Sequence, residues 1–141
     1  MSHMLSLASF FVLKKGSFMK KITIVEDDHT ILEMYKLKFE KAKFQVSLAL
    51  DGEQGLEVVE KEKPDAVLLD LRMPIMSGEE MLRELRSKEW GKDIPVLVLT
   101  NISRDEAPRT LWHLGVADYI VKASSTPQMI LEKVQKVLSE K

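Results

Sequence analysis

The sequence predicts an α/β protein with a doubly wound, five-stranded parallel sheet and helices on both faces. Short apolar runs alternate with longer segments in which apolar residues recur every three or four positions, as strands alternating with amphipathic helices do. Two of the runs, Ala66–Leu69 and Val96–Leu99, are apolar at every position, which is typical of strands covered on both faces. The connections are short, which favours right-handed strand–helix–strand units.

The first half of the chain contains three predicted strands and two predicted helices. Strand Ile22–Val25 precedes a helix whose apolar face is Ile31, Tyr35 and Phe39. A second strand over Phe44–Leu50 closes at Asp51-Gly52, and the helix after it, with Leu56 and Val59 inward, ends before Pro64. Ala66–Leu69 is then the third strand.

The second half begins with a capping box, Ser77 with Glu80 three residues later, which predicts a helix burying Met81, Leu82 and Leu85. The fourth strand is Val96–Leu99, and Val116–Val121 is the fifth. Thr126 caps the last helix and Pro127 stands in its first turn. Its buried stripe is Ile130, Val134, Val137 and Leu138.

The fourth helix is the least regular element of the pattern. Ser103 and Glu106 have the spacing of a capping box, but Pro108 would disrupt a helix that began there. We therefore expect a helix that starts near Ala107, has Pro108 in its first turn and stops at Gly115. The segment from Asn101 to Ala107 is expected to be a long, mobile connection.

Composition excludes several classes of function. The chain has 141 residues, one domain's length, with 21 basic against 22 acidic residues, so nothing points to direct binding of nucleic acid. It has no cysteine, which excludes thiolate chemistry and fits a cytoplasmic location. Three scattered histidines do not have the spacing of a metal site.

Residues 1–18 are interpreted as a leader, and residues 19–141 as the domain. Ser2-His3-Met4 looks like a cloning remnant, and the apolar run Leu5–Leu13 is shorter than the roughly 20 residues that span a bilayer, so no membrane insertion is expected. An apolar docking arm is the alternative. The last predicted helix ends the chain, so we expect a stand-alone domain without an output module.

Charged or hydroxyl-bearing residues that could bind a ligand or react follow four of the predicted strands. Glu26-Asp27-Asp28 follow the first strand, Asp70 the third, Thr100 the fourth and Lys122 the fifth. Ligands of such sheets bind outside the carboxyl ends of the strands, so these side chains are expected to converge. Converging carboxylates favour a hard divalent cation such as Mg²⁺. With a lysine and a hydroxyl nearby, the site suits phosphoryl transfer, for which a carboxylate such as Asp70 can be the nucleophile.

These segments together resemble one known family. Ile24-Val25-Glu26-Asp27-Asp28, Leu68-Leu69-Asp70-Leu71-Arg72-Met73-Pro74, Leu99-Thr100 and Asp118-Tyr119-Ile120-Val121-Lys122 are similar, in order and spacing, to the receiver domains of two-component response regulators. The resemblance runs from about Met19 to the end of the chain. It implies the flavodoxin-like (βα)5 fold with strand order 2-1-3-4-5.

The resemblance also implies roles for individual residues. Asp70 matches the phosphoacceptor, and Asp27 a direct Mg²⁺ ligand, with Glu26 acting through water. Asp28 is left as a helix cap. The backbone carbonyl of Arg72 matches a further ligand. Lys122 and the Thr100 hydroxyl would contact phosphoryl oxygens, and Tyr119 matches the aromatic residue that turns inward with the threonine.

Three positions depart from the family pattern. Ala123 follows Lys122 where a proline, often after a cis bond, is usual, which leaves the geometry of the lysine open. Asn101 is larger than the residue many relatives have after the threonine. Arg72 places a long cation beside the site, and we hypothesise that it tunes dephosphorylation together with Asn101.

The resemblance implies a signalling switch rather than an enzyme, since the domain would catalyse only its own phosphorylation and dephosphorylation. A sensor histidine kinase or phosphotransfer protein would donate the phosphoryl group. The signal would pass to a protein target or a homodimer through the face of the fourth helix, fifth strand and fifth helix. The alternatives are a phosphate-independent interaction module and, less favoured, an aspartyl phosphatase, whose Asp-x-Asp spacing Glu26-Asp27-Asp28 lacks.

Overall fold

The computed structural model describes residues 19–140, and these form a sheet of five parallel strands. The strands are β1 (Lys21–Val25), β2 (Gln45–Ala49), β3 (Ala66–Leu69), β4 (Val96–Thr100) and β5 (Val116–Val121). Their order across the sheet is β2-β1-β3-β4-β5. The predicted fold class and strand order are therefore confirmed. The prediction of a leader over residues 1–18 lies outside the described residues.

Four α-helices cover the sheet within residues 19–140: α1 (His29–Lys41), α2 (Gly52–Glu62), α3 (Gly78–Arg86) and α4 (Pro127–Ser139). Each begins at a residue whose side chain accepts a hydrogen bond from the first turn, which satisfies a backbone N–H that has no helical partner. These residues are Asp28, Asp51, Ser77 and Thr126. The predicted cap at Asp28, the box of Ser77 with Glu80, and the Thr126 cap are confirmed.

The prediction of a fourth α-helix from Ala107 to Leu114 is wrong. Two short 3-10 segments, Arg104–Glu106 and Arg109–Leu114, lie there instead. Pro108 has no N–H, and Ala107 before it is extended (φ −68°, ψ 146°), so no helical turn runs through this point. Gly115 does end the segment, in the left-handed region at φ 72°.

The core has one layer on each face of the sheet. On one face, β-strand residues such as Ile22 and Ile24 pack with Phe39 of α1 and Ile130 of α4. On the other, Val25 and Val98 pack with Val59 of α2 and Met81 of α3, together with Leu111 of the second 3-10 segment. Leu111 is completely buried, so this segment covers the sheet although it is not α-helical.

A close approach of backbones fixes the segment after β3. A Cβ atom on Gly78 would lie 2.0 Å from the carbonyl oxygen of Asp70, and the Gly78 N–H donates to the carbonyl of Leu71 at 2.9 Å. Only glycine leaves room for this contact. The start of α3 therefore packs directly against the backbone of Asp70.

Arg86, at the end of α3, joins the parts of the chain around the second 3-10 segment. Its guanidinium donates to four carbonyl oxygens, those of Leu114 (2.7 Å), Ile94 (2.8 Å), Gly91 (3.0 Å) and Gly115 (3.0 Å). Burial lowers the pKa of Arg86 below its ordinary value. Arg86 thus holds the entry to β4 and the entry to β5 against α3. Among the described residues, no helix has the length and apolar character needed to cross a membrane.

Candidate functional site

Three carboxylates converge at the carboxyl end of the sheet. Oxygen atoms of Glu26, Asp27 and Asp70 all lie within 4.8 Å of one another. Glu26 and Asp70 are only 3% and 7% exposed, whereas Asp27 faces solvent. The sequence predicted this convergence, since β1 and β3 are neighbours and the three residues directly follow them.

Backbone hydrogen bonds fix the two buried carboxylates. The N–H of Asp70 donates to the carbonyl of Val25 at 3.0 Å, which extends the β1–β3 pairing by one residue to Asp70. The Glu26 carboxylate accepts the N–H of Asp28 at 3.0 Å. One Asp70 oxygen also lies 3.4 Å from the N–H of Arg72. Both side chains are therefore held in position before any ligand arrives.

Lys122 offsets part of the negative charge of this cluster. Its ammonium donates to Glu26 at 2.6 Å and to Asp70 at 3.1 Å, and the lysine side chain is only 12% exposed. Burial raises the pKa of Glu26, although the hydrogen bond from Lys122 opposes the shift. For Lys122, burial alone would lower the pKa, but the hydrogen bond to Glu26 and the charge of Asp70 outweigh it and raise the pKa. Lys122 is therefore protonated at neutral pH.

The donor set fits a hard divalent cation. It consists of carboxylate oxygens from three residues, one of them exposed, with open solvent for the water ligands that Mg²⁺ retains. No histidine belongs to the cluster that the structure forms at this edge. The acidic cluster is thus consistent with Mg²⁺ binding, while the Arg72 carbonyl as a further ligand stays a prediction.

Thr100 and Tyr119 lie beside the cluster on β4 and β5. Thr100 is buried, and its hydroxyl oxygen is 3.4 Å from the N–H of Ile102. The Tyr119 ring is turned inward and 6% exposed, and its hydroxyl donates to the carbonyl of Ile102 at 2.7 Å. Burial raises the pKa of Tyr119, although the charge of Arg104 opposes the shift, and the charges of Asp70 and Glu106 add to it.

Part of this site opens into a polar cleft of about 410 Å³. Its walls are Asp70, Arg72, Thr100, Asn101, Ile102, Glu106 and Lys122. Five of these residues are among those predicted from the sequence, whereas Ile102 and Glu106 are not. The sequence pattern indicates Glu106 only as a capping partner of Ser103, because its position in the cleft depends on how the segment after β4 folds back, which no local pattern encodes.

The connection after Lys122 shows how the chain continues where Ala123 replaces the usual proline. Residues 19–140 contain no cis peptide bond, so the bond from Lys122 to Ala123 is trans. A 3-10 turn, Lys122–Ser124, follows at once, and the lysine still reaches both buried carboxylates. The loop thus takes another path than the one a cis bond would impose.

Comparison with known proteins agrees with this fold and site. The family model of the response regulator receiver domain matches residues 22–135. This chain belongs to that family. It is 35% identical over 112 residues to the response regulator MprA of Mycolicibacterium vanbaalenii, a match that covers 78% of this chain and 47% of the relative. The chain therefore spans about half the length of the curated relatives it matches.

Solved structures show the same fold. The chemotaxis response regulator CheY4 of Vibrio cholerae superposes with a TM-score of 0.78 at 28% identity, covering 84% of this chain and 98% of that one. The receiver domain of a sensor histidine kinase from Pseudomonas aeruginosa has a TM-score of 0.77 at 25% identity, covering 85% and 98%. That structure is described with a magnesium ion coordinated in its active-site cleft.

Proposed function

We propose that this receiver domain is a phosphorylation-dependent switch that accepts a phosphoryl group on Asp70 in a Mg²⁺-dependent reaction. The observation that carries the proposal is the placement of Asp70. Its carboxylate is nearly buried yet lines an open polar cleft, lies 3.1 Å from the Lys122 ammonium and belongs to the cluster with Glu26 and Asp27. A buried carboxylate is expensive without such partners, which favours a chemical role over a structural one.

In the proposed reaction, an Asp70 oxygen attacks phosphorus as the bond from phosphorus to the donor's imidazole nitrogen breaks, and the electron pair leaves with that nitrogen. Lys122 neutralises charge on a phosphoryl oxygen, and the Thr100 hydroxyl donates to another. Glu26 and Asp27 would hold Mg²⁺ with Asp70 and the Arg72 carbonyl. When bound, the ion would supply positive charge that offsets the negative charge on the phosphoryl oxygens.

The switch would involve Thr100 and Tyr119. A hydrogen bond from Thr100 to the phosphoryl group draws the end of β4 toward the site, and the inward Tyr119 fills the space behind it. The hydroxyl of Tyr119 already contacts the carbonyl of Ile102, two residues after Thr100. A phosphoryl group stabilises the state to which it binds more tightly, so it shifts a population that exists without it.

A sensor histidine kinase or a phosphotransfer protein is the proposed donor, in the cytoplasm. The proposed output is binding of a protein target, or of a second copy, through the face formed by residues 104–114, β5 and α4. A phosphate-independent interaction module is the second candidate, and the intact cluster argues against it.

Intact-protein mass after incubation with acetyl phosphate tests the proposal. We expect one phosphoryl adduct that requires Mg²⁺ and is absent in Asp70→Asn. Asp28→Asn is the matched control, because Asp28 lies two residues from Glu26 but serves as the α1 cap, and asparagine caps equally well. Failure to form an adduct under any condition would make the interaction module the leading function.

A further inference from the structure

Glu106 lines the polar cleft that contains Asp70, but none of the roles described above involves it. It stands on the 3-10 turn after β4 and lines the cleft together with Asp70 and Lys122. Its side chain is exposed, and it forms no ion pair with any residue between 19 and 140. An exposed carboxylate without an ion-pair partner among these residues therefore lines the cleft that contains Asp70.

The turn that carries Glu106 is fixed by its own hydrogen bond and by two contacts with other parts of the chain. The Tyr119 hydroxyl donates to the carbonyl of Ile102, directly before the turn, at 2.7 Å. The Glu106 N–H donates to the carbonyl of Ser103 at 3.0 Å. The Arg104 guanidinium lies 4.9 Å from the centre of the Trp112 ring, within the range of a cation–π contact. The position of Glu106 is thus a property of the folded domain.

The negative charge of Glu106 acts on a phosphoryl donor that approaches the cleft. The cleft already holds the charges of Asp70 and Lys122, and the exposed Arg72 lines it as well. A negative group on its wall repels an approaching anion and attracts a cation. Because Glu106 is exposed, solvent and salt screen this effect, which limits it to a few-fold change in rate.

We propose that Glu106 is a specificity-determining residue of this cleft. It disfavours small dianionic phosphoryl donors relative to donors whose leaving-group nitrogen is positively charged before its bond to phosphorus breaks. The inference rests on the proposed function, since it concerns transfer to Asp70. In that transfer a bond forms between an Asp70 oxygen and phosphorus. The P–O bond of acetyl phosphate or the P–N bond of phosphoramidate breaks, and the electron pair leaves with acetate or ammonia.

The test compares these two donors. Acetyl phosphate is a dianion at neutral pH, whereas phosphoramidate carries an ammonium-like nitrogen. Rate constants for labelling are measured by intact mass at saturating Mg²⁺ for the wild type, Glu106→Gln, Glu106→Asp and Asp105→Asn. Asp105 is the matched control, because it is an exposed acid on the same turn but does not line the cleft.

In Glu106→Gln we expect the rate with acetyl phosphate to rise relative to the rate with phosphoramidate by roughly threefold at low salt. The change should shrink at about 0.5 M salt, where charges are screened within a few ångströms. Glu106→Asp and Asp105→Asn should keep the wild-type ratio. A purely structural role would change both rates together and leave the ratio unaltered.

Two failures are distinguishable. If both donors label Asp70 but the ratio is the same in Glu106→Gln as in the wild type, or changes equally in Asp105→Asn, the inference about Glu106 is overturned while the proposed function stands. If neither donor labels the wild-type protein, the proposed function fails and the inference fails with it.

Discussion

Lys122 is the residue on which the electrostatics of the cleft depend, because its single ammonium is shared by two nearly buried carboxylates. Without it, Glu26 and Asp70 would repel each other in surroundings that solvate charge poorly. A cation bound among the carboxylates would offset the same repulsion. Lys122 and Mg²⁺ are therefore expected to act in part as substitutes for each other.

Replacing Lys122 with methionine should lower the free energy of unfolding in the presence of a chelator by on the order of 3 kcal/mol, since two buried charges lose their partner. Adding Mg²⁺ should recover more stability in this variant than in the wild type. Urea unfolding measures both effects. Lys133→Met is the control, because Lys133 is half-exposed, 3.8 Å from Asp118, and its pair contributes at most about 1 kcal/mol.

Arg72 and Asn101 line the wall of the cleft next to Asp70. Both side chains restrict the approach of water to a phosphoryl group there, so Arg72→Ala and Asn101→Ala should each lose the group faster, by roughly threefold. Decay of the intact-mass adduct after removal of the donor measures this. Unchanged decay in both variants would contradict the tuning hypothesis.

At the residue scale, the site was predictable where a charged or hydroxyl-bearing residue stands at the end of a strand. Asp70, Thr100 and Lys122 each stand at the end of an apolar run, and parallel strands end at the same edge. Glu106 and the contact of Arg104 with Trp112 were not predictable, because they depend on the path of an irregular segment. The acidic pair was predictable, but only the structure shows that Lys122 bridges Glu26 and Asp70.

At the scale of elements, the strands and capped helices follow from local signals, and the segment after β4 does not. Asp28, Ser77 and Thr126 cap helices as expected, since a cap needs only a polar side chain at the right spacing. The stretch from Ala107 to Leu114 has apolar residues at helical spacing but too few residues after Pro108 to stabilise an α-helix. Burial of Leu111 against the sheet then stabilises a short 3-10 segment instead.

The 3-10 segment is anchored to α3 by two contacts that involve polar side chains. The Thr110 hydroxyl donates to the Glu79 carboxylate, and Arg86 donates to the carbonyls of Leu114 and Gly115 at the end of the segment. The two bonds from Arg86 satisfy carbonyl groups at the C-terminal end of the segment, where a helix leaves its last carbonyls without an internal partner. Arg86 therefore compensates for the irregular backbone.

Arg86→Met should lower the free energy of unfolding by about 3 kcal/mol, because four carbonyl oxygens lose a charged donor and part of them stays buried. The matched control is Arg83→Met on the same helix. Arg83 is mostly exposed and pairs only with Glu79, so its loss should cost less than about 1 kcal/mol. Equal costs for the two variants in urea unfolding would refute a special role for Arg86.

At the scale of the whole molecule, the architecture was predictable because the alternation of buried runs and amphipathic segments leaves few topologies. The sheet order agrees with the expectation from the family resemblance. The two-layered core follows from the runs Ala66–Leu69 and Val96–Leu99, which are buried on both faces. The path of the connections between β4 and β5 depended on long-range contacts and was the part that the sequence pattern left open.

Binding of Mg²⁺ should stabilise the entire fold, since the proposed ligands follow β1 and β3 and come together only in the folded chain. The expected gain is roughly 2.7 kcal/mol when free Mg²⁺ is about 100 times Kd. Thermal unfolding with Mg²⁺ or a chelator measures it. Asp27→Asn should abolish most of the gain, and Asp28→Asn, outside the cluster, should keep it.

The contacts of the Trp112 ring have a practical consequence for spectroscopy. Its ring centre lies 5.4 Å from that of Tyr119 and 4.9 Å from the Arg104 guanidinium. Indole emission is sensitive to neighbouring charges and rings, so any shift of Tyr119 or Arg104 changes the fluorescence of Trp112. The chain's second tryptophan, Trp90, can be subtracted with a Trp112→Phe variant. The protein therefore contains its own optical probe for the segment after β4, and its motion can be followed in real time without an attached dye.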